Sequence, residues 1–132
     1  MRPALERAVQ AGDIGGVEAE LGGGADIDSL DAHGQTALML AAHNGHLNII
    51  ECLVGHGANL NFRAKFGLSA LMLAIVAGHE AIARTLIRAG ADFTILGTGA
   101  PGFAGKSAYD LAKELGMMAL CEEIAARQNV AI

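Results

Sequence analysis

The chain has no tryptophan, one tyrosine, four phenylalanines, two prolines and two cysteines among its 132 residues, and only 17% of them are charged. Each shortage excludes something. Five large aromatics are too few for the ordinary core of a single packed globule, so small side chains and close backbone approach must do the packing. Cys52 and Cys121 stand alone inside apolar patterns. They read as small buried hydrophobes rather than a disulfide framework, and point to a reducing, cytoplasmic setting. Lys and Arg number nine against fourteen Asp and Glu, a formal net charge of −5. Nucleic acid and anionic membrane are therefore disfavoured as partners, because binding them needs clustered cations. No apolar stretch approaches a bilayer span, not even the run through Leu71 to Ala77, and Met1-Arg2-Pro3 leads into a charged segment rather than a signal-peptide core. Apolar residues still make up 52%, too many for a disordered chain.

Glycine is what the sequence has in plenty, eighteen residues, and it recurs at a fixed interval. Gly34-Gln-Thr-Ala-Leu-Met-Leu-Ala-Ala-His-Asn-Gly45-His46 lies over Gly67-Leu-Ser-Ala-Leu-Met-Leu-Ala-Ile-Val-Ala-Gly78-His79 at a shift of 33 residues. Gly57-Ala58 falls on Gly90-Ala91, and Gly24-Ala25-Asp26 on Gly57-Ala58-Asn59, at the same shift. Gly105-Lys-Ser-Ala-Tyr-Asp-Leu-Ala112 matches Gly34 to Ala41 only after five extra residues. A fixed period of this length signals stacked supersecondary units. Four are expected, near 1–30, 31–63, 64–96 and 102–132, with a Gly-rich insertion near 97–104. Together they form one domain.

Each unit reads as two short helices. Thr36, Ser69 and Ser107 precede runs with helical spacing and suit N-caps, with Asp110 placed to complete a capping box. Gly12, Gly45, Gly78 and Gly116 fall where a helix must end in a left-handed residue before the chain reverses. The second helices repeat Leu47, Ile50, Leu53, Val54 and Ile82, Leu86, Ile87 at helical spacing, then stop near Gly57 or Gly90 before an extended Ala-Asx segment. Alanines 37, 41, 42, 70 and 74 line the first helices, so successive helices can approach closely.

On these residues the sequence resembles the ankyrin-repeat family, whose unit carries G-x-T-P-L-H-x-A-A-x-x-G-H and a later G-A-D-x-N. It departs from that pattern with Ala for Pro at 37, 70 and 108, and with Met or Asp for His at 39, 72 and 110. The resemblance implies an all-α solenoid of four helix-turn-helix units joined by short extended turns. It also implies a non-catalytic module that binds another protein through a concave face of turn tips and first helices. Counted by the repeat, tip and front-edge positions are Ala32, His33, Gln35, His43 and Asn44, then Lys65, Phe66, Leu68, Val76 and Ala77, then Phe103, Ala104, Lys106, Glu114 and Leu115. Of these, His33, Gln35, His43, Lys65, Phe66, Leu68, Val76, Phe103, Lys106 and Glu114 are the candidate contacts. Phe66, Leu68 and Phe103 stand out, because tips normally carry polar turn residues. They are anchors for a partner, or else Phe66 and Phe103 pack on each other across neighbouring tips.

Two chemical lookalikes compete with that reading. Gly97-Thr-Gly99-Ala-Pro-Gly102 spells G-x-G-x-x-G, and Ala100 to Ser107 approximates a phosphate-binding loop with Ala for its first Gly, preceded by the strand-like Phe93-Thr-Ile-Leu96. Nucleotide or phosphate binding by 97–107 is thus the alternative function, but such a cradle needs a parallel βαβ sheet, and Gly105-Lys-Ser is in register with Gly34-Gln-Thr. Five histidines invite a metal, yet His46 and His79 hold equivalent structural positions and no Cys or carboxylate completes a tetrahedral set. Cys52, among Ile50, Leu53 and Val54, reads as buried and inert, and Glu122-Glu123 as solvating the last helix. No catalytic constellation, metal or cofactor is expected.

The insertion is a recognition finger or a tolerated floppy loop. Gly15-Gly16 make the first unit the least stable, and the wet face of the last helix suits a terminal unit. The partner is another protein, neutral or basic if net charge guides it, and the free chain is expected to be a monomer. Self-association through the first unit or the apolar tips is a further possibility.

Overall fold

The computed structural model describes residues 1–98 and 102–130, with side chains to 128. Its helices come in pairs: α1 (Pro3–Ala11) with α2 (Ile14–Gly22), α3 (Ala37–Asn44) with α4 (Leu47–Gly55), α5 (Ala70–Val76) with α6 (Glu80–Arg88), and α7 (Ala108–Glu114) with α8 (Met118–Val130). First helices stack on first helices (α1, α3, α5, α7) and second on second (α2, α4, α6, α8), so the molecule is a helical solenoid with an inner and an outer layer. No strand occurs among the described residues. The strand-like stretch Phe93–Leu96 runs through a turn, and a lone bridge joins Gly97 to Ala104.

The helix starts are set by hydroxyls. Thr36 accepts from the Met39 amide at 3.3 Å, Ser69 from Met72 at 3.4 Å, and Ser107 shares a capping box with Asp110. Thr36 and Ser69 are buried, so each cap also satisfies an amide that water cannot reach. Where the family places His, Met39 and Met72 are buried at 1% exposure and fill the space between units with apolar volume instead. Alanines 37, 41, 42, 70, 74, 108 and 112 are each at most 1% exposed, which is how a core with so few aromatics closes.

Two polar devices repeat between units. Gly45 has φ +81°, and a Cβ there would lie 2.7 Å from the His79 ring; that ring's Nε2 sits 3.1 Å from the His43 carbonyl. His46 covers Gly12 in the same manner, with Nε2 2.9 Å from the Gln10 carbonyl. Each imidazole thus locks the turn of the preceding unit, and needs a glycine beneath it. The second device is a ladder along the Ala-Asx tails: Asp28 accepts from the Asn59 amide at 2.8 Å and Asn61 from the Asp92 amide at 2.7 Å. Within each tail, residues 26, 59 and 92 accept from the amide two residues on.

Candidate functional site

Three fingers project where one unit turns into the next. In the first, Asp31 Oδ1 accepts from the amides of His33 and Gln35, both at 2.9 Å, which fixes an Asx turn with His33 exposed and Gln35 half-buried. His43, exposed on the last turn of α3, lends its carbonyl to His79.

The second finger, residues 64–68, is tied at its root. The Ala64 amide donates to the Leu68 carbonyl at 2.9 Å, and Arg63 Nε donates to the Gly67 carbonyl at 3.2 Å. At its apex Phe66 has φ +64°, the sole non-glycine in the left-handed region among the described residues. For an aromatic this conformation costs roughly 1–2 kcal/mol. Phe66 keeps 38% of its surface exposed, its ring centroid is 6.2 Å from that of Phe103 at an interplanar angle of 33°, and Lys65 Nζ sits 5.1 Å above it. Packing across tips and exposure to a partner therefore coexist in one side chain. Val76, at the end of α5, is 42% exposed.

Leu68 is corrected here. It is 5% exposed and belongs to the core, because the finger's closing hydrogen bonds turn it inward beneath the tip. Cys52 is half-buried rather than buried. Burial, with the Glu18 carboxylate adding to it, pushes its thiol above the ordinary value; burial does the same to Cys121. Few thiolates form in either case, so neither is an activated nucleophile.

The third finger carries the insertion. Its described part is pinned: Gly97 donates to the Lys106 carbonyl at 2.8 Å, Gly105 to Gly97 at 3.0 Å, and Thr98 to Phe66 at 2.6 Å. A Cβ on Gly97 would lie 2.3 Å from the Phe103 carbonyl oxygen, so the two legs meet more closely than any side chain permits. Gly99 to Pro101, the middle of the G-x-G-x-x-G lookalike, lie outside the described residues. Two amides further along are engaged internally, that of Lys106 by the Phe103 carbonyl and that of Ser107 by the Asp110 carboxylate. Lys106 Nζ is held 2.5 Å from Glu114. The Ser107 amide, which would meet a phosphate in such a loop, is thus taken by a carboxylate, and the loop's lysine is paired with another.

Sequence reasoning missed Arg63. Its guanidinium bonds the Gly67 carbonyl and, through Nη2, the Leu96 carbonyl, clasping the second finger to the root of the third. The sequence offers only a partial signal: positions 30, 63 and 96 are equivalent, and Arg63 stands where the other two are leucine, but nothing in that row shows which carbonyls it reaches. Leu30 and Leu96 are themselves 40% and 49% exposed. Of the seven exposed large apolar residues described, five (Leu30, Phe66, Val76, Leu96 and Leu115) lie on the fingers or at the ends of first helices. Ile14 and Met118 begin second helices instead. No group of three His, Cys, Asp or Glu with metal-binding placement occurs among the described residues, and no described helix is long and apolar enough to cross a membrane.

A family model described as ankyrin repeats, in three copies, matches residues 5–96. The α7–α8 pair continues the same architecture beyond the matched span. No curated protein matches the chain. Among solved structures it is similar to a chain of the complex between a predatory endopeptidase from Bdellovibrio bacteriovorus and an immunity protein. The TM-score is 0.83 and the identity 29%, covering 96% of this chain and 64% of that one. The present chain thus spans less than two thirds of that protein's length.

Proposed function

The chain belongs to the ankyrin-repeat family, and from that premise we propose that it is a non-catalytic binding module that grips another protein with its fingers and the ends of its first helices. The observation that carries this is the concentration of exposed apolar side chains on that side, headed by Phe66, whose backbone is held in a conformation unfavourable to it. Strain of this kind persists where the surroundings enforce it, and it presents the ring at a tip that offers little core to bury it. Similarity to a chain from an endopeptidase–immunity-protein complex supports a protein as the partner. The contacts we assign are His33, Gln35, His43, Lys65, Phe66, Val76 and Phe103, with Lys106 and Glu114 as a paired edge; Leu68 acts only by supporting the second finger.

The test is affinity capture from the source-cell extract with wild type and with Phe66→Asn/Val76→Asn. Both residues are exposed, so helicity and melting temperature should be preserved. A protein retained by the wild type and lost by the folded variant supports the reading. Equal retention moves recognition to the second helices or to the first unit.

A further inference from the structure

Formal charge is divided unequally between the two layers. The second helices, with their caps and tails, hold ten of the fourteen carboxylates and three of the nine cations; the fingers and first helices hold four carboxylates and six cations. The division is sharpest in the third unit. Arg63 stands at the root of its finger and Lys65 on it, α5 behind them carries no charged residue, and no described carboxylate pairs with either cation. In the neighbouring fingers the one carboxylate, Asp31, is occupied by two backbone amides, and Lys106 is neutralised by Glu114. Phe66, beneath Lys65 Nζ, and Val76, at the end of α5, are exposed apolar groups of the same unit.

We propose that the finger face recognises an acidic protein segment that seats an apolar side chain against Phe66 and Val76 and sets carboxylates against Arg63 and Lys65. The proposal rests on the reading of this face as the partner surface. It reverses what net charge alone suggests, since the excess of carboxylates lies on the opposite layer, and a partner feels the local potential within a Debye length of roughly 10 Å rather than the total. Nucleic acid shares the negative charge but fits poorly. Two unpaired cations release few counterions, and the acidic layer repels the rest of a long polyanion.

The experiment is selection of a phage-displayed library of random 16-residue peptides on the whole protein, with clones re-tested on folded variants. Selected peptides should combine Asp or Glu with a large apolar residue. They should bind Arg63→Glu/Lys65→Glu about ten-fold or more weakly, bind Lys65→Glu, which leaves the Arg63 clasp intact, measurably more weakly than wild type, and lose affinity as salt is raised. They should bind Glu114→Gln, which releases Lys106, more tightly. Peptides that are lost with Phe66→Asn/Val76→Asn but are neutral or basic, or that ignore the charge reversal, overturn the acidic partner and leave the face standing. Peptides indifferent to both pairs of substitutions overturn the face as well, and so does the absence of any enrichment over uncoated wells.

Discussion

At the residue scale, Phe66 separates folding from recognition. Asparagine accepts the left-handed region far more readily than an aromatic, so Phe66→Asn recovers part of roughly 1–2 kcal/mol of backbone strain. It gives up an aromatic pair of about 0.5–1.5 kcal/mol with Phe103. The two nearly offset, and thermal unfolding followed by circular dichroism should shift by only a few degrees while partner capture is lost. A large drop would show that the ring is a core residue in disguise. Asp92 gives a pH prediction. Hydrogen bonds from the Thr94 hydroxyl and then the Thr94 amide hold its carboxyl below the ordinary aspartate value, against a smaller opposing effect of burial. A lowered folded-state value contributes stability that is complete above the unfolded value and is lost as pH falls through the folded one. Asn59 fills the equivalent position one unit earlier and accepts from Asn61 at 2.9 Å. Asp92→Asn should therefore lower the neutral-pH melting temperature slightly, since the neutral amide lacks the charge these hydrogen bonds favour, and flatten the decline on acidification; an unchanged acid slope would refute the assignment.

At the scale of elements, the first helices stack through alanine and the third finger closes through glycine. Ala74 is fully buried on α5, between α3 and α7. Ala74→Leu adds three carbons where no space remains and should cost about 1–3 kcal/mol, read as a fall in melting temperature of roughly 5 °C or more. Gly97→Ala tests the insertion. Its methyl group would collide with the Phe103 carbonyl, so the legs must part and the bridge to Ala104 must break. We expect partial loss of stability together with altered amide signals at Phe66 and Thr98, which are hydrogen-bonded to each other. A variant with unchanged spectra would mean that the insertion is loose, not pinned. Reading this segment as either a floppy loop or a finger left out what the structure shows: the described part is tied to the neighbouring finger by Arg63 and Thr98.

At the scale of the molecule, each unit is supported mainly by its neighbours, so stability should vary along the array. The helix α2 buries only Val17, and it contains Gly15 and Gly16, the latter boxed in by Asp13 and Ala8. In α3, by contrast, six consecutive residues, Ala37 to Ala42, are buried. Native-state hydrogen exchange should find α2 opening first and α3 and α5 last. Uniform protection across the four units would show that the chain unfolds as one cooperative block.

The 33-residue period, the hydroxyl caps and the turn glycines all depend on neighbours a few residues away or on strict recurrence, and for that reason the solenoid and its helix order were legible without coordinates. His46 and His79 could be assigned a structural role because they recur at the same place after a turn glycine. Leu68, Arg63 and the two charged layers could not be read in this way. Whether a leucine at a tip points in or out is decided by the hydrogen bonds that close the finger. Whether Arg63 faces solvent or a carbonyl 33 residues away depends on where the insertion lands. Net charge is a sum over the sequence, whereas the field a partner meets depends on which layer each charge occupies, and only the folded chain separates those layers.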